Sequence, residues 1–334
     1  MKDSYETESL SPEDDFLLIH VRDQGIPAAV WAANHREVLK KTLLRHGAIL
    51  LRGLTCDRHG FAEIAKALEP KAINYTGGIG PRTIVAEDVY TSTDLPSSYG
   101  LVQHHEMAYN SFWPMNILFY CEQPPEVDGA TTVCNSSRLL AALDPAIRDA
   151  FERKKLRYLR NFSNDMPYKN IADTFGTTDR ATIDAFCAKT GVTPTWRSSD
   201  RLTLTQDAPA IRRHPEVEKA AFFNTILVWH FAHWKHIAQH TFSEHFARLG
   251  GEEDYWLHCQ YGDGTAIDDA TVAEIERKYE ELQFKIAWQK GDILYLDNML
   301  VSHGRRPFSG KRTILASFRT PLEAKNLSTG RSVG

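Results

Sequence analysis

The spacing of apolar positions changes along this chain, and the change lays out its elements. From His35 to His46 (HREVLKKTLLRH), Val38, Leu39, Leu43 and Leu44 recur at helical spacing, and Gly47 follows as a stop. The same spacing predicts a short helix over Gly60–Leu68. A further helical stretch runs over Ser137–Lys155, where Leu139, Leu140, Leu143, Ile147 and Phe151 recur and Pro145 interrupts. Asp268–Leu282 reads as a charged amphipathic helix with Asp268 or Asp269 as its N-cap.

Elsewhere the apolar residues come in short, dense runs that read as strands. Ala48–Arg52 is one, and Asn116–Cys121, stopped by Pro124-Pro125, is another. Phe284–Trp288 and Ile293–Leu296 flank Lys290-Gly291-Asp292 as a hairpin-like turn, and Arg312–Phe318 is a late strand. The pattern predicts a mainly β core with helices packed outside it. No internal repeat, low-complexity stretch or Gly/Ser linker marks a boundary, so residues 1–334 read as one domain. The stretch from Glu323 to Gly334 is small and polar and predicts a frayed end.

Composition narrows the function more than the fold. The 39 basic and 43 acidic residues leave a net charge of -4, without the basic excess of a nucleic-acid binder. The opening residues are polar and acidic, and no run reaches the length of a membrane span, so a cytoplasmic location is expected. Five scattered cysteines without CxxC spacing argue against a disulfide framework and against a zinc-thiolate site.

Nucleophile and phosphate motifs are missing. There is no GxSxG and no P-loop, and Gly77-Gly78-Ile79-Gly80, followed by Pro81, reads as a loop. Histidine paired with a carboxylate is the richer signal. In a strand, residues i and i+2 share a face, so His-x-Glu can offer two metal ligands. A distant histidine then completes a facial triad with open positions, as non-haem Fe(II) oxygenases use. Chance gives about two such pairs in a chain of this composition, and three occur: His35/Glu37, His104/Glu106 and His214/Glu216. His35 opens a Lys-rich helix and His214 precedes Pro215 in a polar loop, so both read as solvated surface histidines. His104 follows Leu101-Val102-Gln103 and fits a strand end, with His105 facing the other way. His303, after a strand and turn over Asp292–Asn298, fits the third position. Arg312, which alone reads as a surface cation, opens the next strand and could fork onto a carboxylate of a dicarboxylic cosubstrate. The run His230-x-x-His233-x-x-His236 lacks an acidic partner and reads as core or capping histidines.

Several longer segments carry a family likeness. They are GAILLRGL (47–54), HHEMAYNSFWP (104–114), FYCEQPPEVDGATTVCNSSRLL (119–140), FFN (222–224), YGDG (261–264) and WQKGDILYLDNMLVSHGRRPFSGKR (288–312). Together they resemble the TauD/TfdA family of Fe(II)/2-oxoglutarate-dependent oxygenases. The nearer likeness is to its branch of syringomycin-type amino-acid hydroxylases from peptide-antibiotic pathways. The resemblance implies a double-stranded β-helix (a cupin-like jelly roll) with flanking helices and a helical insert over about 137–282. It implies His104, Glu106 and His303 as ligands of Fe(II). It implies Arg312, paired with Thr131, as the anchor of the 2-oxoglutarate 5-carboxylate, with Arg319 a weaker alternative anchor. Two positions depart from the branch pattern: Asp128-Gly129-Ala130 replaces Gly-Gly-Glu before Thr131, and His105 replaces an Asn.

The activity implied is oxidation by O2 of an unactivated C–H, coupled to decarboxylation of 2-oxoglutarate. Hydroxylation of an amino-acid-like substrate is the expected outcome, with desaturation or cyclisation as alternatives from the same chemistry. Glu106 stands where halogenating relatives carry a small residue, which implies no chlorinated product. The loop Tyr75–Thr93 resembles the branch's substrate-facing segment, so Arg82 is expected to meet a substrate carboxylate, with Tyr109 and Trp113 walling the pocket. Whether the substrate is free, tethered to a carrier protein or a small peptide stays open, as does the oligomeric state, homo-oligomers included. A jelly-roll protein that binds metal without oxygenase activity is the competing class, since fold alone does not fix function.

Overall fold

The computed structural model describes residues 4–327, apart from 12, 14, 23–24, 74–78, 80–81, 94, 164–169, 234 and 236–253. Gly77, Gly78 and Gly80, part of the Tyr75–Thr93 loop, and His236 therefore lie outside the described residues. Two strands open the chain, β1 (Tyr5–Ser9) and β2 (Phe16–Val21), then α1 (Ala28–His46), β3 (Ala48–Arg52) and α2 (Arg58–Leu68). Next come β4 (Ile84–Ala86), β5 (Val89–Thr91), β6 (Leu101–His104), the long β7 (Phe112–Gln123), β8 (Val127–Asp128) and β9 (Thr131–Asn135). The following segment holds α3 (Ser136–Ala142), α4 (Pro145–Lys154), β10 (Leu156–Phe162), α5 (Ile171–Phe175), α6 (Arg180–Thr190), β11 (Thr193–Trp196) and β12 (Leu202–Ala208). It continues through β13 (Arg212–Arg213), β14 (Ala220–Ala221), α7 (Ile226–Trp229), β15 (Leu257–Tyr261) and α8 (Asp269–Leu282). The chain then closes with β16 (Phe284–Ile286), β17 (Ile293–Asp297), β18 (Val301–Arg305), β19 (Phe308–Ser309) and β20 (Thr313–Glu323).

Two sheets form the core of a jelly roll. The larger runs β1-β2-β3-β17-β7-β20-β5-β4 and the smaller β16-β9-β18-β6. Only β2 and β3 pair in parallel among the described ladders. Alternation along the large sheet explains its dense apolar runs. Leu294 and Leu296 of β17, with Ile117, Phe119 and Cys121 of β7, face inward and join Val133, Ile286 and Val301 of the small sheet. Ile293 and Tyr295, with Leu118 and Tyr120, face outward and pack under α1 and α2, whose Trp31, Leu39, Leu43 and Phe61 cover them. A strand buried on both faces reads as a continuous apolar run.

The helices end where side chains can cap them. Asp57, Asn135, Asp144 and Asp268 accept backbone N–H groups at the starts of α2, α3, α4 and α8. Pro145 opens α4, so the interruption predicted there is a break between two helices. Helix α1 starts at Ala28 rather than His35, because buried Trp31 and Ala32 extend its apolar stripe upstream. Gly47 ends it at φ 72°, where a Cβ would sit 2.5 Å from a methyl of Val301.

Five expectations need correction. Phe284–Ile286 and Ile293–Asp297 do not form a hairpin: β16 pairs with β9 and β17 with β3 and β7, so the turn passes the chain between sheets. The segment 137–282 is not only helical, since it carries a four-stranded antiparallel sheet, β11-β12-β10-β15. The tail is ordered further than predicted, with Glu323 paired to Phe112 and a short 3-10 turn over Ala324–Asn326. His214 is fully buried, not solvated: its Nδ1 accepts from the N–H of Glu216 and Val217, and its Nε2 donates to Asp297 Oδ2 at 2.9 Å. Its partner lies far along the sequence, which a reading of adjacent residues misses. His35 is half-buried as well, stacked on Trp31 at 4.3 Å.

Candidate active site

The register of the small sheet assembles the site. β6 and β18 pair antiparallel with His104 opposite His303, and their rings lie 4.4 Å apart. Glu106 joins them from just beyond the end of the strand. The strand ends at His104, and Glu106 follows in a tight turn whose Met107 has φ 59°. Asn298 locks that turn: its Oδ1 accepts the N–H of Glu106, and its Nδ2 donates to the carbonyls of Glu106 and Pro114. One ligand atom from each of His104, Glu106 and His303 lies within 4.8 Å of the others, and all three residues are buried. Among the described residues no other His, Cys, Asp or Glu group is arranged to hold a metal.

The donors fit a divalent metal. His104 Nδ1 donates to the Val102 carbonyl at 2.9 Å, which fixes the ring and its tautomer. His303 Nδ1 is buried without a hydrogen-bond partner. Burial is the first cause holding both imidazoles below the usual histidine range, far below for His303, and neutral imidazole is the metal-binding form. His105 points away as expected. Its ring lies between the Asn224 carbonyl and Ser136 Oγ, and burial pushes its pKa down to about 3.

A narrow cleft runs from this triad to Arg312, lined among others by Arg82, Thr131 and Arg305. Arg312 Nε donates to the Gly129 carbonyl at 3.0 Å and Nη2 to Thr131 Oγ1 at 3.4 Å. Thr131 Oγ1 also accepts from Trp288 Nε1 at 3.0 Å. Arg312 has no acidic partner among the described residues. Burial, then repulsion from Arg305, pushes its pKa down to about 10, so it stays cationic at neutral pH. Arg305 is held by the carbonyls of Leu95, Pro96 and Tyr99 and also has no acidic partner there. A buried guanidinium that faces a cleft and has no carboxylate bonded to it is a site that an anion completes.

The other sequence candidates divide. Arg82 reaches the cleft, and its Nη2 donates to Glu106 Oε2 at 2.6 Å. Tyr109 turns into a cavity of about 400 Å³ formed with the insert, beside Tyr158 and Trp229. Trp113 lies in the main core against Phe223 and lines neither space. Arg319 sits on the opposite face of β20 from Ile314, bonded to Ser317 and Asp88, and does not reach the cleft. His230 is buried and bonded to the Ile267 carbonyl. No sequence pattern marks Arg305, Asn298 or Trp288 individually, although all three lie within the 288–312 segment.

Comparison with known proteins agrees with this geometry. Residues 10–318 match the family described as taurine catabolism dioxygenase TauD, TfdA family. The chain is 31% identical over 287 residues to the dapdiamide synthesis protein DdaC of Enterobacter agglomerans, covering 85% of each. It is 28% identical over 295 residues to a clavaminate synthase-like protein of Arabidopsis thaliana, covering 84% of each. Among solved structures, PvcB, described as an Fe, alpha-ketoglutarate dependent oxygenase from an isonitrile synthetic pathway, superposes with a TM-score of 0.55 at 14% identity. That match covers 97% of this chain and 96% of PvcB. AAD-2 in complex with Mn(II) and N-oxalylglycine gives 0.57 at 10% identity, covering 96% and 98%. The chain therefore belongs to the TauD/TfdA family of Fe(II)/2-oxoglutarate-dependent dioxygenases.

Proposed function

We propose that this dioxygenase hydroxylates an unactivated C–H of an amino acid or amino-acid-derived substrate in specialised biosynthesis. The observation that carries the reading is the cleft, with a His–Glu–His cluster at one end and a carboxylate-free buried arginine at the other. His104, Glu106 and His303 hold the iron. When bound, iron supplies oxygen activation coupled to decarboxylation of the cosubstrate. Arg312 and Thr131 take the far carboxylate of 2-oxoglutarate, and the excess of guanidinium groups around the cleft favours that dianion. Trp288, through Thr131, keeps the hydroxyl oriented toward Arg312. Phe119 and Ile314 wall the cleft and limit water around the reacting groups.

The substrate class rests on relatives. DdaC is named for dapdiamide synthesis, and PvcB is described as coming from an isonitrile synthetic pathway; a small, functionalised metabolite is the substrate class we take from them. The cavity beside Tyr109 offers room for such a molecule. The test has two steps. Anaerobic addition of Fe(II) and 2-oxoglutarate should give a weak visible charge-transfer band. A panel of free amino acids should then be incubated with enzyme, Fe(II), 2-oxoglutarate and air, with mass spectrometry for gain of one oxygen atom and assay of succinate. No band and no succinate with any substrate would sink the oxygenase reading. Oxygenation only of carrier-bound or peptide substrates would move the substrate class.

A further inference from the structure

We infer that Arg82 is a positioning residue for the metal centre: its guanidinium holds one oxygen of Glu106 and leaves the other to face His104 and His303. The inference rests on the reading of that triad as the iron site. Arg82 Nη2 and Glu106 Oε2 are 2.6 Å apart, with the two side chains 8% and 6% exposed. The guanidinium is itself fixed on two further sides. Its Nη1 donates to the Ser92 carbonyl, and its plane lies over the Phe318 ring at 4.8 Å. Asn298 pins the main chain of Glu106 while Arg82 pins its side chain. Both ends of the ligand are therefore set before a metal arrives.

The consequence is a choice of binding mode. A carboxylate can take a metal through one oxygen or two. A charge-assisted hydrogen bond engages Oε2 and favours one-oxygen binding through Oε1. Two imidazoles and one carboxylate oxygen would leave further positions on a bound metal open. That is the space a chelating cosubstrate and one further ligand require. The positive charge of Arg82 opposes a cation, yet residues that orient metal ligands commonly matter by ten- to hundred-fold in affinity. The orienting effect is taken to dominate because the carboxylate is otherwise free to swing in a site its backbone alone does not fix.

The same arginine could instead meet a substrate carboxylate, and one experiment separates the roles. The metal-free full-length protein is titrated anaerobically with Co(II), read by visible absorption and calorimetry, for wild type, Arg82→Gln and Arg82→Lys. Arg82→Gln should weaken Co(II) binding ten- to hundred-fold and change the intensity and position of the Co(II) bands. Arg82→Lys, which keeps a cationic donor, should recover most of both. If Arg82→Gln does not fold, Phe318→Leu removes the ring beneath the guanidinium, keeps the core filled and should shift both readouts in the same direction, by less. Equal affinities and superimposable spectra would overturn the inference. A raised substrate KM with unchanged Co(II) binding would give Arg82 to the substrate. A wild-type protein that binds no Co(II) would fail the iron-site reading itself.

Discussion

The cleft and the insert cavity are built on opposite principles. Paired strands line the cleft, and the register of β6, β18 and β9 sets His104 opposite His303 and Thr131 opposite Arg305. Its polar groups are aimed by named partners, and it is narrow. The cavity of about 400 Å³ beside Tyr109 is walled by Tyr158, Phe175, Phe186 and Trp229, contributed by β10, α5, α6 and α7. A cleft of aimed charges selects one chemistry. A wall of rings selects by shape, and a single side-chain change reshapes it. Tyr109, three residues after Glu106, belongs to the cavity wall, so the two regions meet at the turn that carries Glu106.

The sharpest break in this contrast falls on the cleft. His303→Ala or His104→Ala should abolish iron binding and succinate formation while leaving the insert folded. Metal analysis and a succinate assay read the loss, and far-ultraviolet circular dichroism reads the fold. Normal turnover by either variant would dissolve the triad.

Arg312→Ala comes next. Removing one partner of a buried charge pair costs about 2–5 kcal/mol, or roughly thirty-fold to a few thousand-fold in affinity. The KM for 2-oxoglutarate should rise by that factor, with Fe(II) binding in the absence of cosubstrate unchanged. Arg319→Ala should leave that KM unchanged, because Arg319 bonds Asp88 on the far face of β20. The opposite pattern would move the anchor to Arg319.

The two regions also differed in how far the sequence revealed them. His104 and His303 stood out in the sequence through short local signals, the first at the end of a strand run and the second after a strand and turn, whereas Arg312 alone reads as a surface cation and gained its expected role only from the family resemblance. What sequence reading missed there was mostly backbone work. Glu106 lies beyond the end of the strand, in a turn whose Met107 takes a positive φ that the period of a strand does not predict. Arg305 and Asn298 act on carbonyls and N–H groups that no residue pattern displays. The insert was harder. Strand β10 (LRYLRNF) carries two arginines and an asparagine among its apolar residues, with Arg160 and Asn161 buried, and its partners β12 and β15 lie about 50 and 100 residues downstream. The helices of the segment were visible, but its sheet depends on contacts too distant to read. His214 failed for the same reason, its partner Asp297 being on another element.

The smallest expected effect tests the cavity. Phe186 lines it and is 42% exposed, so Phe186→Ala removes a wall with little cost to the fold. Loss of one partly buried ring is worth about 1 kcal/mol of contact, a factor of about five. The KM for the amino-acid substrate found by the screen should rise by about that factor, with the 2-oxoglutarate KM and Fe(II) affinity unchanged. Tyr109→Ala, at the join between the regions, should raise the substrate KM further, because its ring is nearly buried against Tyr158 and Trp229. If both variants keep the wild-type substrate KM, the cavity is not where the substrate sits. The substrate would then contact only the cleft and the residues around Arg82. If Phe186→Ala instead shifts the 2-oxoglutarate KM, the two regions are coupled, and the division of labour between aimed charges and shaped rings fails.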